Sequence, residues 1–218
     1  MASALDSVFP GLTQAQTREL ADCGGLRVGT FRKEDVIFLA GTRVREVGIV
    51  RTGSVRVEAC DAWGSRSLLS RVGPGQTFAE TYALCGEVTL VSAVAAETSE
   101  IVFLHLPRLL DDSNRSRSWY PIILQGMMRL CARKNLVLSE RIFCTTPKTV
   151  RGRLLTYLSA ESARCGSPVF EIPLDRQQLA DYLNLDRSAV SKELSRMRDE
   201  GLLRCHKNHF ELLRPAQS

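Results

Sequence analysis

Residues 175–203 read DRQQLADYLNLDRSAVSKELSRMRDEGLL, and this stretch constrains the chain more than any other. Asp175 and Gln178 stand at the N-cap and N3 positions of a capping box, where the acid accepts from the N3 amide and the glutamine reaches back. The helix they start carries Leu179, Ala180 and Leu183 inward. Asn184 follows, a residue type that tolerates the left-handed backbone of a tight turn. Leu185 plugs that turn, and Asp186 stands as N-cap of a second helix with Val190, Leu194 and Met197 as its buried stripe. Gly201 falls where a helix-ending C′ glycine is expected. Two short capped helices joined by a turn of about three residues make a helix-turn-helix.

Subtracting the buried stripe leaves Arg187, Ser188, Ser191, Lys192 and Ser195 on one outer face, with no acid among them. Asp186 sits at the dipole-favoured start of the helix, and Glu193, Asp199 and Glu200 fall off that face. Small serines permit close approach to a major groove, and Arg or Lys reaches guanine or phosphate. After Gly201, Leu202–Cys205 and His209–Leu213 flank Lys207-Asn208 as two strands and a turn, which makes a wing. A solvated amphipathic helix would present a similar face, but it does not need caps, turn residue, stripe and wing in this order. The expected partner is double-stranded DNA.

Upstream the pattern differs. From Leu26 to Leu106, the pieces Val36–Leu39, Glu46–Val50, Ser54–Val57, Ser67–Ser70, Glu87–Ala96 and Glu100–Leu106 read as short strands separated by Gly41, Thr52-Gly53, Gly64 and Gly73-Pro74-Gly75. Short strands with regular glycine turns predict an antiparallel roll or sandwich, not a parallel α/β sheet. Between Trp119 and Phe143 the spacing predicts one helix of about 25 residues. One stripe runs through Leu124, Met127, Cys131, Lys134, Leu138 and Arg141, and a second through Ile123, Leu130, Val137 and Ile142. A helix apolar on two sides packs on its own domain with one and on a symmetry mate with the other, so Leu124, Met127, Cys131 and Leu138 are the expected dimer seam. Thr146-Pro147 reads as the N-cap and N1 of the next helix, and Val169–Ile172 as a short strand.

The fold class is therefore α+β, in three parts: an antiparallel β-roll (double-stranded β-helix) over 1–110, a long dimerisation helix over 111–144, and a winged helix-turn-helix over 145–218. Net charge rises along the chain, at −1, +3 and +3 for these parts, which puts the basic excess beside the predicted DNA-reading helix. With 44% hydrophobic and 24% charged residues the composition is that of an ordinary globular protein. No apolar run approaches the roughly 20 residues of a membrane span, and residues 1–20 carry no signal-peptide core. Seven dispersed cysteines without a C-x-x-C pair read as reduced thiols. These features predict a cytoplasmic protein with no membrane partner.

The order of roll, long helix and winged helix resembles the bacterial CRP/FNR family of transcription regulators over roughly residues 20–214, most specifically at 175–203. The resemblance implies a homodimer with paired long helices, recognition of a palindromic site, bending of the DNA and RNA polymerase as a further partner; the bent complex formed by CAP, a member of that family, is a standard example. It implies Arg187 for base readout, with Ser188, Ser191 and Lys192 beside it, and Arg176 and Gln177 at phosphates. Ser188 and Lys192 stand where the family often has glutamate and arginine. The usual half-site is not expected here, because serine cannot copy a carboxylate accepting from cytosine.

The resemblance also frames the effector. The cyclic-nucleotide branch has Gly-Glu and then Arg-Ser-Ala in the roll; here Glu80 and Ser92 persist, but Val91 holds the arginine position. Leu138-Ser139 replaces an adjacent Thr-Ser on the long helix. A buried phosphate without a cationic partner keeps its desolvation cost and loses a charge-assisted pair, so cyclic AMP is not expected. An iron–sulfur cluster needs several nearby N-terminal cysteines, and Cys23 stands alone there. Haem has no clear ligand set beyond His105 and Cys85, and Cys205, His206 and His209 lack the fourth ligand of a structural zinc. No metal ligand is therefore assigned and the cofactor stays open. The expected effector is an apolar or redox-type small molecule lined by Phe78, Glu80, Tyr82, Val91, Ser92, Leu138 and Ser139. It would alter how the long helices pair and so set the spacing of the recognition helices.

Two other functions compete. A cupin-like metalloenzyme needs a His-x-His set in the roll, and residues 1–144 contain one histidine. A ligand-binding adaptor with a degenerate helix-turn-helix leaves the acid-free face unexplained. No catalytic motif is present, and no enzyme is expected.

Overall fold

The computed structural model describes residues 2–61 and 63–213. Two compact units form, residues 1–133 and 134–218, so the long helix is not a unit of its own and the boundary falls inside it.

The first unit starts with two helices that the sequence reading did not identify, α1 (Ala2–Asp6) and α2 (Gln14–Asp22), the latter opened by a Thr13/Gln16 capping box. The strands are β1 (Leu26–Phe31), β2 (Val36–Phe38), β3 (Glu46–Thr52), β4 (Val55–Cys60), β5 (Arg66–Val72), β6 (Thr77–Phe78), β7 (Ser92–Ala95) and β8 (Ser99–His105). They make two four-stranded antiparallel sheets in the orders β1-β8-β3-β6 and β2-β7-β4-β5. Helix α3 (Glu80–Cys85) interrupts the strands between β6 and β7, and α4 (Leu106–Leu109) follows β8.

Strands β3 and β8 are buried on both faces, and the period of two decides which core each side chain joins. Val47, Ile49, Val102 and Leu104 pack with Leu5, Phe9, Leu20, Leu109, Trp119 and Ile123 from the helices. Val50, Ile101 and Phe103 point the other way, into the roll, with Val55, Val72 and Phe78. The segment expected as one strand over Glu87–Ala96 is strand only over Ser92–Ala95; before it, Thr89 bonds its own neighbour Val91 through the hydroxyl. Cys85 ends α3 and does not lie in a loop.

Helix α5 (Tyr120–Thr145) is a single run of 26 residues. Gly126 lies within it because Phe9 packs there: a Cβ would come within 2.3 Å of the Phe9 ring. No helix among the described residues is long and apolar enough to cross a membrane.

The second unit adds α6 (Val150–Cys165), β9 (Val169–Glu171), α7 (Arg176–Tyr182), α8 (Arg187–Asp199), β10 (Leu203–His206) and β11 (His209–Leu212). Strands β10-β11-β9 form an antiparallel sheet. The cap of α6 is Thr149, whose hydroxyl accepts from the Gly152 amide at 3.0 Å, and not Thr146. Thr146 instead donates back to the Ile142 carbonyl at the end of α5. One core gathers Leu154, Leu158, Phe170, Leu179, Leu183, Val190, Leu194, Met197, Leu203 and Phe210 from all three helices and the sheet.

Candidate nucleic-acid interface

The Asp175/Gln178 capping box forms, with Asp175 Oδ1 accepting from the Gln178 amide at 2.8 Å and Gln178 Oε1 from the Asp175 amide at 2.9 Å. At the other end of α7, Asn184 has φ of +52°. The Leu185 amide reaches back to the Ala180 carbonyl at 2.9 Å, closing the turn in the manner of a left-handed C-cap. Asp186 occupies the N-cap of α8, although its side chain makes no capping hydrogen bond. Leu179, Ala180, Leu183, Val190, Leu194 and Met197 are all buried, which leaves the two helices oriented by their apolar stripes.

Arg187, Ser188, Ser191, Lys192 and Ser195 are all exposed. Glu193 of α8 and its C-cap residue Glu200 are held elsewhere. Arg151 of α6 donates through Nε to Glu193 Oε1 at 2.6 Å and forks onto Glu200 at 2.7 and 2.8 Å. That pair holds the Glu200 carboxyl below its ordinary pKa, the hydrogen bond to Arg151 being the largest cause. Helical spacing already sets Glu193 and Glu200 off the exposed face, and the ties to Arg151, across more than forty residues, hold them on α6.

Beside this face lies a cleft of about 570 Å³ lined by Pro173, Leu174, Asp175, Arg176, Gln177, Gln178, Arg187, Lys207 and Asn208. It joins the first turn of α7, the start of α8 and the tip of the wing. Arg176 lies over the Phe210 ring at 5.1 Å, and its buried Nη1 has no hydrogen-bond partner in the structure. The rest of this half-buried guanidinium lines the cleft, where a planar fork suits a phosphate oxygen. Gln177 is less free, since its amide donates to Asp181 Oδ1 at 2.8 Å. Lys207, at φ +52° in the turn between β10 and β11, is a further basic side chain on this cleft that motif spacing did not single out.

The residues expected at an effector divide between the units. Phe78 belongs to the roll core: it is 3% exposed, lies 5.7 Å from the Phe38 ring and leaves no space for a Cβ on Gly48. Its side chain is thus part of the roll's own packing. Glu80 is buried at the start of α3, and Tyr82, Val91 and Ser92 are half-buried. Ser92 Oγ accepts from the Ala40 amide at 3.0 Å. Leu138 and Ser139 are exposed and lie in the second unit.

The expected seam also needs one correction. Met127 is 4% exposed and packs in the first unit's core with Ile123. Its neighbour Met128, rotated by about 100° around the helix, is 64% exposed. Leu138 and Ile142 are exposed as well, whereas Leu124 and Cys131 are half-buried.

Among the described residues, no cluster of three or more His, Cys, Asp or Glu side chains is arranged to hold a metal ion. His206 faces His209 across β10 and β11, and His209 lies 3.5 Å from Glu171.

Residues 28–111 match the cyclic nucleotide-binding domain model, and residues 152–217 match the Crp-like helix-turn-helix domain model. The chain is 25% identical over 190 residues to the transcriptional activator protein FnrA of Stutzerimonas stutzeri, covering 84% of this chain and 75% of that protein. It is 27% identical over 169 residues to the cyclic AMP receptor protein of Thermus thermophilus, covering 77% and 75%. A solved structure described as OCPA-complexed CprK shares the fold at TM-score 0.64 with 14% identity, covering 91% of this chain and 90% of that one.

Proposed function

We propose, from the premise that the chain belongs to the CRP/FNR family of DNA-binding transcription regulators, that it acts as a homodimer on a palindromic site under the control of an effector other than cyclic AMP. The observation that carries the reading is the exposed, acid-free face of α8 beside the Arg176 cleft. In this reading Arg187 meets base edges, Ser188 and Ser191 allow the helix into the groove, and Lys192 reaches a base or a phosphate. Arg176 and Lys207 flank the groove at phosphates.

Dimerisation is supported by Met128, Cys131, Asn135, Leu138 and Ile142, which recur along α5 in steps of 3, 4, 3 and 4. Such a heptad seam buries its apolar positions on a second copy, and a polar residue within it specifies register. Two recognition helices about 34 Å apart then meet successive major grooves, and RNA polymerase is the partner through which binding alters transcription.

Against cyclic AMP stands Val91, which brings no cation to the segment where the cyclic-nucleotide branch holds its phosphate. The name of the Thermus thermophilus relative describes that protein; the residues here favour an apolar or redox-type effector at the roll.

Selection from random duplexes tests the proposal. It should enrich a two-fold symmetric sequence with half-sites about 10 base pairs apart. Recovery of no sequence above the starting pool would refute it.

A further inference from the structure

We infer that Arg141 is the positioning residue through which the long helix sets the attitude of the recognition helix, and so the spacing of half-sites the dimer accepts. Its Nε donates to the Tyr182 carbonyl at 3.1 Å, and its Nη2 donates to the Asp181 carbonyl and to Asn184 Oδ1, each at 3.0 Å. The guanidinium also lies 5.8 Å from the Tyr182 ring centroid. These acceptors are the end of α7 and the turn that leads into α8.

Carbonyls at a helix C-terminus lack intrahelical donors and carry partial negative charge, so a cation there is doubly favourable. A planar fork fixes direction as well as distance, which an ammonium does not. Arg153 holds the same turn from α6: its Nη1 donates to the Leu183 and Asn184 carbonyls, both at 3.0 Å, and its Nε to the Pro147 carbonyl at 2.8 Å. Four successive carbonyls, 181 to 184, are thus shared between two arginines, one on α5 and one on α6. Arg141 stands one residue before Ile142, the last apolar position of the proposed seam. A rotation of the paired helices is thereby delivered to the turn that orients Arg187.

This inference rests on the dimer reading above, and the test separates the two. The probes are the palindrome selected by the full-length wild-type chain, the same palindrome with one base pair added or removed at its centre, and a single half-site duplex. For wild type the selected spacing should be preferred. Arg141→Gln should remain dimeric by light scattering and bind the single half-site as wild type does, while its spacing preference falls by at least about fivefold, the lower end of ordinary coupling between sites. Arg153→Gln should melt at lower temperature and keep the preference. Should Arg141→Gln unfold below the assay temperature, Arg141→Lys keeps the charge, loses the fork and carries the same expectation. Unchanged preference in the Arg141 variants, or an equal loss in Arg153→Gln, overturns the inference. Absence of a spacing preference in wild type overturns the dimer reading itself, and the inference with it.

Discussion

Arg151 grips Glu200 with both ends of its guanidinium, Nη1 to Oε2 at 2.8 Å and Nη2 to Oε1 at 2.7 Å, and so ties the C-cap residue of the recognition helix to α6. The carboxyl is stabilised as an anion and its folded-state pKa lies below the ordinary value. The pair therefore contributes stability above the unfolded-state value of about 4.3, and that contribution is lost as pH falls through the lower folded-state value. Urea titrations across the acid range should show Glu200→Gln with a shallower loss of stability on acidification than wild type. Parallel acid limbs would mean the pair is not formed in solution.

Arg187 and Arg176 should separate by the kind of binding each loses. Arg187→Ala should cost roughly 1–3 kcal/mol per half-site and relax preference at one base position. Arg176→Ala should weaken selected and random duplexes alike and lower the salt-dependence slope by about one for each chain bound. Binding isotherms over a salt series distinguish the two. Uniform weakening by Arg187→Ala would place that side chain on the backbone.

A ligand that binds only the folded protein raises its stability by mass action, by about 2.7 kcal/mol at a hundredfold excess over Kd. Millimolar cyclic AMP should leave the melting temperature of this protein unchanged, because Val91 offers no cation to the phosphate. Val91→Arg supplies one and should create a shift. An upward shift in wild type would contradict the proposed effector class.

The corrected seam also makes a prediction. Leu138→Glu and Met128→Glu place a charge in the proposed interface at positions that are 60% and 64% exposed in the single chain, so each should halve the mass seen by light scattering without loss of secondary structure. Met127→Glu instead buries a carboxylate in the first unit's core and should unfold it. Dimers that survive both exposed substitutions would exclude this face of α5.

The helix-turn-helix was legible because its determinants are local: the Asp175/Gln178 box, the left-handed Asn184 and the stripe of Val190, Leu194 and Met197 lie within a few residues of one another. The length of α5 was legible for the same reason, but its two faces were not. Met127 and Met128 are adjacent, both apolar and one-third of a turn apart, and only Phe9 packed on Gly126 reveals which methionine faces inward. Six of the roll's eight strands were readable from their turns, but β1 and the two-residue β6 were not named, and α3 was missed because it begins after a left-handed Ala79 that no residue type announces. Arg141, Arg151 and Arg153 act on residues thirty to fifty positions away, where spacing carries no signal.

Methylation interference on the selected duplex tests most directly whether the α8 face reads bases, since the guanine N7 methyl group projects only into the major groove. The account predicts interference in two clusters one DNA turn apart, with one guanine in each half-site becoming insensitive in Arg187→Ala. Interference confined to adenine N3 in the minor groove, or a pattern identical in wild type and Arg187→Ala, would contradict it.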